Sequence, residues 1–171
     1  MINTEEERVA NLLEEIEAAF DGVSRDGGVS LHEADVIDDY GSIHQRYKAR
    51  KLDTESRWQD VPASDIEHFN WIFPFLDAKG GLYYLPAYMS WSLRNYRTSD
   101  SWSHSFLIYH LESHNRSDYS IEFELLNPAQ KRAIAHFLQF AAEYQEEWDE
   151  LNPFDEEVAQ SALNSYWNQF A

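Results

Sequence analysis

The chain has 171 residues, no cysteine and a formal net charge of −18, with 43% hydrophobic and 15% aromatic residues. This hydrophobic content is far above that of disordered chains, so the length predicts one folded domain over residues 1–171. The absence of cysteine excludes disulfides and thiolate-based metal or catalytic sites. The first residues lack a signal-peptide pattern and no run approaches 18 apolar residues, which predicts a cytoplasmic protein with no membrane span.

The negative charge is concentrated towards the two ends of the sequence. Residues 1–40 carry 12 acidic and 2 basic side chains, residues 121–171 carry 10 and 2, and residues 41–120 carry 9 and 9. Such acidic segments repel phosphate backbones and attract cationic surfaces. The charge therefore disfavours nucleic-acid binding, and it either solvates helix faces or attracts a basic protein as partner.

The first elements are predicted to be helices. The apolar residues between Val9 and Phe20 recur at helical spacing, after a capping box formed by Thr4 and Glu7. A second capping box, Ser30 with Glu33, predicts a short helix that ends near Gly41. Residues 42–63 are polar and weakly periodic, which indicates short helix and loop.

The next stretch has two candidate starts. Ser64 and Glu67 form a third capping-box pattern, which predicts a short helix running towards Pro74. Beyond it, the sequence FLDAKGGLYYLPAYMSW predicts a glycine turn at residues 78–81, extended chain at 82–85 and a helix that begins at Pro86. In this helix a buried stripe is expected, formed by Leu85, Tyr88, Met89, Leu93 and Tyr96.

The last third predicts helices around one ambiguous segment. Residues 98–120 can be drawn as helix or strand, whereas residues 119–125 alternate apolar and polar side chains like a strand, for which residues 81–84 are the expected partner. Asn127–Pro128 and Asn152–Pro153 each predict a helix start, and these two helices are expected to pair. The sequence thus predicts a mainly α, single helical domain, with a small two-stranded β element left open.

A candidate metal site lies on the second predicted helix. His32, Asp35 and Asp39 are spaced i, i+3 and i+7 and so share a helix face, with Glu33 beside them. Imidazole and carboxylate groups can hold a divalent cation, but surface helices often carry the same pattern as a solvated polar face. Metal binding through His32, Glu33, Asp35 and Asp39 is kept as the alternative.

A candidate binding patch comes from the aromatic residues that fall outside the buried stripe. Tyr83, Tyr84 and Trp91 are those residues. If they are exposed together, they provide the aromatic anchors that are typical of protein interfaces.

Several segments resemble an uncharacterised family of bacterial cytoplasmic proteins, a domain of unknown function. The resemblance is carried by residues 17–23, 27–42, 57–62, 75–89 and 125–138, of which FLDAKGGLYYLPAYM at 75–89 is the most specific. It implies no reaction, cofactor or catalytic residue.

The sequence contains no catalytic signature, since its serines lack the G-x-S-x-G elbow and no phosphate-binding glycine loop is present. We therefore expect a non-catalytic acidic interaction module without a cofactor, similar in composition to immunity proteins that bind basic toxins. A metal-dependent enzyme or metal-binding module and a nucleic-acid mimic are the alternatives. Oligomeric state is left open.

Overall fold

The computed structural model describes residues 4–112, 121–144 and 157–171 and confirms a mainly α domain. Within these residues no β-strand is present. The α-helices are α1 Glu5–Ala19, α2 Leu31–Asp38, α3 Ile43–Arg50, α4 Ala63–His68, α5 Ala78–Asn95, α6 Ser103–Glu112, α7 Pro128–Glu143 and α8 Val158–Ser165. Short 3₁₀ helices lie at Trp58–Asp60, Phe73–Phe75, Phe123–Leu125 and Trp167–Phe170.

The predicted capping box at Thr4 and the predicted cap at Asn127 both begin helices as expected. The Thr4 hydroxyl accepts from the Glu7 backbone N–H at 3.2 Å, and the Glu7 carboxylate accepts in return from Thr4 at 2.9 Å. Asn127 caps α7 in the same way, with Pro128 as its first residue. The corresponding Asn152–Pro153 signal lies outside the described residues.

The prediction for α4 is wrong at both ends. The helix begins at Ala63 after Pro62, so Ser64 lies inside its first turn and does not cap it. It ends at His68 rather than continuing towards Pro74. Pro62 occupies the cap position and supplies the extended backbone that precedes the helix. The helix therefore begins before Ser64, and Ser64 and Glu67 do not form its cap.

The prediction for residues 78–86 is also wrong, because α5 runs without interruption through both glycines and Pro86. Asp77 is its cap, with its Oδ1 accepting from the Gly80 N–H at 2.8 Å. The glycine is required by packing, since a Cβ on Gly80 would lie 2.4 Å from the Val29 carbonyl oxygen. The expected stripe of α5 is buried, as predicted.

The two-stranded β element is not found among the described residues. Residues 81–84 are helical in α5, and Phe123–Leu125 form a 3₁₀ helix, while Tyr119 lies outside the described residues. The alternation in this segment instead buries Ile121 and Phe123 against the core. The segment before it is α6, so the helical alternative for residues 103–112 is the correct one.

The helices enclose one hydrophobic core, which extends from Ile16 in α1 to Trp167 near the end of the chain. Helix α5 packs against α1, α4 and α6, α7 packs against α1 and α8, and α2 forms a hairpin with α3. Among the described helices, none has the length and apolar character needed to cross a membrane. The α2–α3 hairpin and the loops beside α1 and α5 remain at the surface and position the sites described below.

Candidate functional site

The predicted aromatic patch does not exist as an exposed surface. Tyr83 and Tyr84 have no exposed area and Trp91 is 4% exposed, because α5 is buried over almost its whole length. The Tyr83 and Tyr84 rings contact each other edge to face at 4.9 Å. These residues belong to the core, and the prediction that they form a binding patch is wrong.

Tyr84 instead belongs to a buried polar network with Arg25 and Glu55. Arg25 Nη1 donates to the Tyr84 hydroxyl at 2.8 Å and to the Glu55 carboxylate at 3.3 Å, and the Tyr84 hydroxyl donates to Glu55 at 3.1 Å. Burial raises the pKa of the Tyr84 hydroxyl well above its ordinary value. The network therefore holds a neutral tyrosine between a cation and an anion, and fixes the loop that contains Arg25 onto α5.

The predicted metal residues are separated by the fold. Glu33 is buried and its carboxylate accepts from Arg46 at 3.0 Å and from Arg50 at 2.7 Å, so two cations already neutralise it. Asp35 and Asp39 are exposed on α2. Their shared helix face points to solvent, which corrects the predicted four-residue site.

His32 does have ligand-bearing neighbours, but they come from other elements. Asp53 lies in the loop after α3, and Asp65 lies in α4. One ligand atom from each of these residues and one from His32 all lie within 4.8 Å of one another. His32 Nδ1 is 2.7 Å from Asp53 Oδ1, and Asp53 Oδ2 accepts from the His32 backbone N–H at 3.1 Å. No sequence pattern indicates this grouping, because the three residues are far apart in the chain. We call it the His32 cluster.

A second candidate site is the acidic cleft, which consists of two depressions that share Glu17 and Arg94 in their walls. The outer one, of about 530 Å³, lies between α1 and α5 and is lined by Leu13, Glu14, Glu17, Ala18, Asp21 and Arg94. The inner one, of about 160 Å³, is lined by Trp58, Trp91 and neighbouring residues of α4 and α5. Trp91 thus forms part of a cleft wall, although not of the exposed patch that was predicted.

Charge and polarity in the acidic cleft favour a cation. Glu14 and Glu17 are exposed on successive turns of α1, Asp21 is exposed in the turn after it, and these three carboxylates outnumber the single lining cation, Arg94. No ion pair links Glu14 or Asp21 to another described residue.

Exposed apolar side chains occur at another place, on the α2–α3 hairpin. Tyr40 is 96% exposed, and Ile43, Tyr47 and Leu52 are also largely exposed. Ile43 and Tyr47 are one helical turn apart on α3, and this spacing was visible in the sequence. It was overlooked because the surrounding residues 42–63 are polar.

Comparison with known proteins identifies the family but no activity. A model of a family of unknown function, DUF6714, matches residues 8–171, and the chain belongs to that family. No curated protein and no solved structure matches the chain.

Proposed function

We propose that this protein is a non-catalytic, cytoplasmic interaction module that binds a basic protein partner through the acidic cleft. The supporting observation is the arrangement of Glu14, Glu17 and Asp21 around one depression on α1, with a single arginine in its wall. The net charge of −18 adds a long-range attraction for cationic surfaces. Small acidic immunity proteins that bind basic toxins are the analogous class.

The shape and composition of the cleft suit a lysine or arginine side chain. Leu13 and Ala18 offer an apolar wall for the methylene groups, and the carboxylates of Glu14 and Asp21 lie at the same depression to receive the charged head group. The inner depression is lined by Trp58 and Trp91, whose side chains are almost fully buried. A basic side chain from a partner would thus gain both apolar and charged contacts.

The test uses charge reversal with a control of equal charge. The double variant Glu14→Lys/Asp21→Lys changes exposed residues of the cleft, and Asp35→Lys/Asp39→Lys makes the same change in net charge on α2, away from it. A fluorescent peptide of alternating lysine and alanine serves as the first probe, at low and at physiological salt. We expect the cleft variant to weaken binding about tenfold and the control to weaken it much less.

Pull-down from host lysate extends the test to natural partners. A basic protein retained at low salt by the unmodified chain and by the α2 control, but lost from the cleft variant, supports the proposal. If the peptide binds equally weakly to both variants, net charge alone attracts it, and the proposal is overturned. The proposal is also overturned if the folded, unmodified chain retains no basic protein from the lysate in a salt-sensitive way.

A further inference from the structure

The His32 cluster brings together one imidazole and two carboxylates from three separate elements of the fold. Its ligand atoms lie within 4.8 Å of one another, close enough to share one ion. The His32 ring is held in place by an edge-to-face contact with the Phe69 ring at 4.9 Å. Asp53 is fixed from the other side, since its backbone carbonyl accepts from Arg25 Nη2 at 3.2 Å. The donors are therefore positioned before any ligand arrives.

The electrostatics of the cluster leave an excess of negative charge. The Asp53 side chain is 2% exposed, and the hydrogen bonds to its carboxylate come from His32 alone, with no lysine or arginine among the described residues. The half-buried Asp65 has no side-chain hydrogen bond or ion pair with the described residues. Burying a carboxylate is costly unless a cation compensates it. The nearby Arg25 guanidinium is already paired with Glu55, so one imidazole is left to compensate the two carboxylates.

We propose that His32, Asp53 and Asp65 bind one divalent transition-metal ion, for which Zn²⁺ is the natural probe. An imidazole nitrogen with two carboxylate oxygens is a donor set that zinc accepts, and three protein ligands leave a coordination position for water. Ca²⁺ and Mg²⁺ prefer more oxygen ligands and no imidazole, so they should bind more weakly.

Binding requires the hydrogen bond between His32 and Asp53 to rearrange. The 2.7 Å contact between His32 Nδ1 and Asp53 Oδ1 is a hydrogen bond that holds one proton. Two tetrahedral ligands that are each about 2.0–2.1 Å from zinc lie about 3.3 Å apart, so a metal held between these two atoms requires the pair to open slightly. When Nδ1 is the ligand, its proton moves to Nε2 of the same ring, so the ring keeps one proton.

The experiment is calorimetric titration of the chelator-treated full chain with Zn²⁺, Mn²⁺, Ca²⁺ and Mg²⁺. We expect one saturable Zn²⁺ site per chain and weaker binding of Ca²⁺ and Mg²⁺. Asp65→Asn removes a ligand charge without breaking a bond to the described residues and should weaken Zn²⁺ binding by about 10–100-fold. His44→Gln, which replaces an exposed imidazole on α3, is the matched control.

Cobalt provides a second readout of the ligands. Co²⁺ in this site should give the visible absorption of a nitrogen- and oxygen-ligated ion, and His32→Gln should abolish it. Circular dichroism of the metal-free variants checks that each one is folded. The proposal is overturned if no saturable site exists, if Asp65→Asn and His44→Gln bind Zn²⁺ alike, or if a folded His32→Gln retains the cobalt spectrum. The cluster shares no residue with the acidic cleft, so the two proposals fail independently.

Discussion

Asp77 connects the start of α5 to Val29, because its Oδ1 atom accepts the Val29 backbone N–H at 2.9 Å. The same oxygen accepts the Gly80 N–H at 2.8 Å and so caps the helix. One carboxylate oxygen thus satisfies a free donor of the first turn and a donor of the loop that leads into α2. This double role holds the segment before His32 against the central helix.

Replacing Asp77 by alanine should remove both bonds. Loss of a cap costs about 1 kcal/mol and loss of a second hydrogen bond a similar amount, so Asp77→Ala should lower the free energy of unfolding by about 2 kcal/mol. Urea denaturation followed by circular dichroism measures this. Asp77→Asn keeps an acceptor oxygen and should lose less than half as much, and equal losses in the two variants would contradict the double role.

Gly80→Ala reverses the usual effect of alanine in a helix. In an open helix this change stabilises by about 1 kcal/mol, because alanine has the higher helix propensity. Here the new Cβ would lie 2.4 Å from the Val29 carbonyl oxygen, and backbone must move to make room. We expect destabilisation by about 1–3 kcal/mol in the same denaturation assay. A Gly80→Ala variant more stable than the parent would refute the close contact.

Glu33 should behave as a structural residue and not as a metal ligand. Glu33→Gln leaves Arg46 and Arg50 without their shared anion at a largely buried site. Hydrogen bonds to charged groups are worth about 1.5–3 kcal/mol each, so we expect a loss of about 2–3 kcal/mol, measured by denaturation. Zn²⁺ affinity should not change. Combining Glu33→Gln with Arg50→Gln tests the coupling, since the double variant should lose less than the two single losses together.

Local signals in the sequence predicted local structure well. The capping box at Thr4 and the Asn127–Pro128 helix start depend on residues close together in the chain, and both are found as expected. The α5 start has an equally local cap in Asp77, but the adjacent glycines were interpreted as a turn. Burial on several sides stabilises α5 enough to tolerate Gly80 and Pro86, and no propensity shows that in advance.

The candidate sites were predicted less well, for a different reason. Spacing reveals only neighbours on one element, and it therefore grouped His32 with Asp35 and Asp39 on α2. Its actual neighbours are Asp53, in the loop after α3, and Asp65, in α4. Both elements bring these side chains beside His32 at the start of α2. Such groupings are set by tertiary packing.

His110 should make the fold sensitive to acid. It lies in the core with 1% exposure, against the Trp71 and Phe73 rings, and burial lowers the pKa of its imidazole to about 3. The pKa of an unfolded histidine is about 6.5, so below that pH the unfolded chain binds a proton that the folded chain excludes. The contribution of neutral, buried His110 to the free energy of unfolding is complete above about pH 6.5. This contribution is lost as the pH falls from about 6.5 towards 3.

The measurement compares the pH dependence of unfolding in the unmodified chain and one variant. Between pH 6.5 and 4 the unfolding free energy of the unmodified chain should fall about 1.4 kcal/mol per pH unit more steeply than that of His110→Leu, which cannot titrate. The carboxylates are the same in both proteins and cancel in the comparison. Parallel profiles for the unmodified chain and His110→Leu would mean that His110 in the folded chain binds a proton near the ordinary pKa of histidine. That result would contradict the lowering of its pKa by burial.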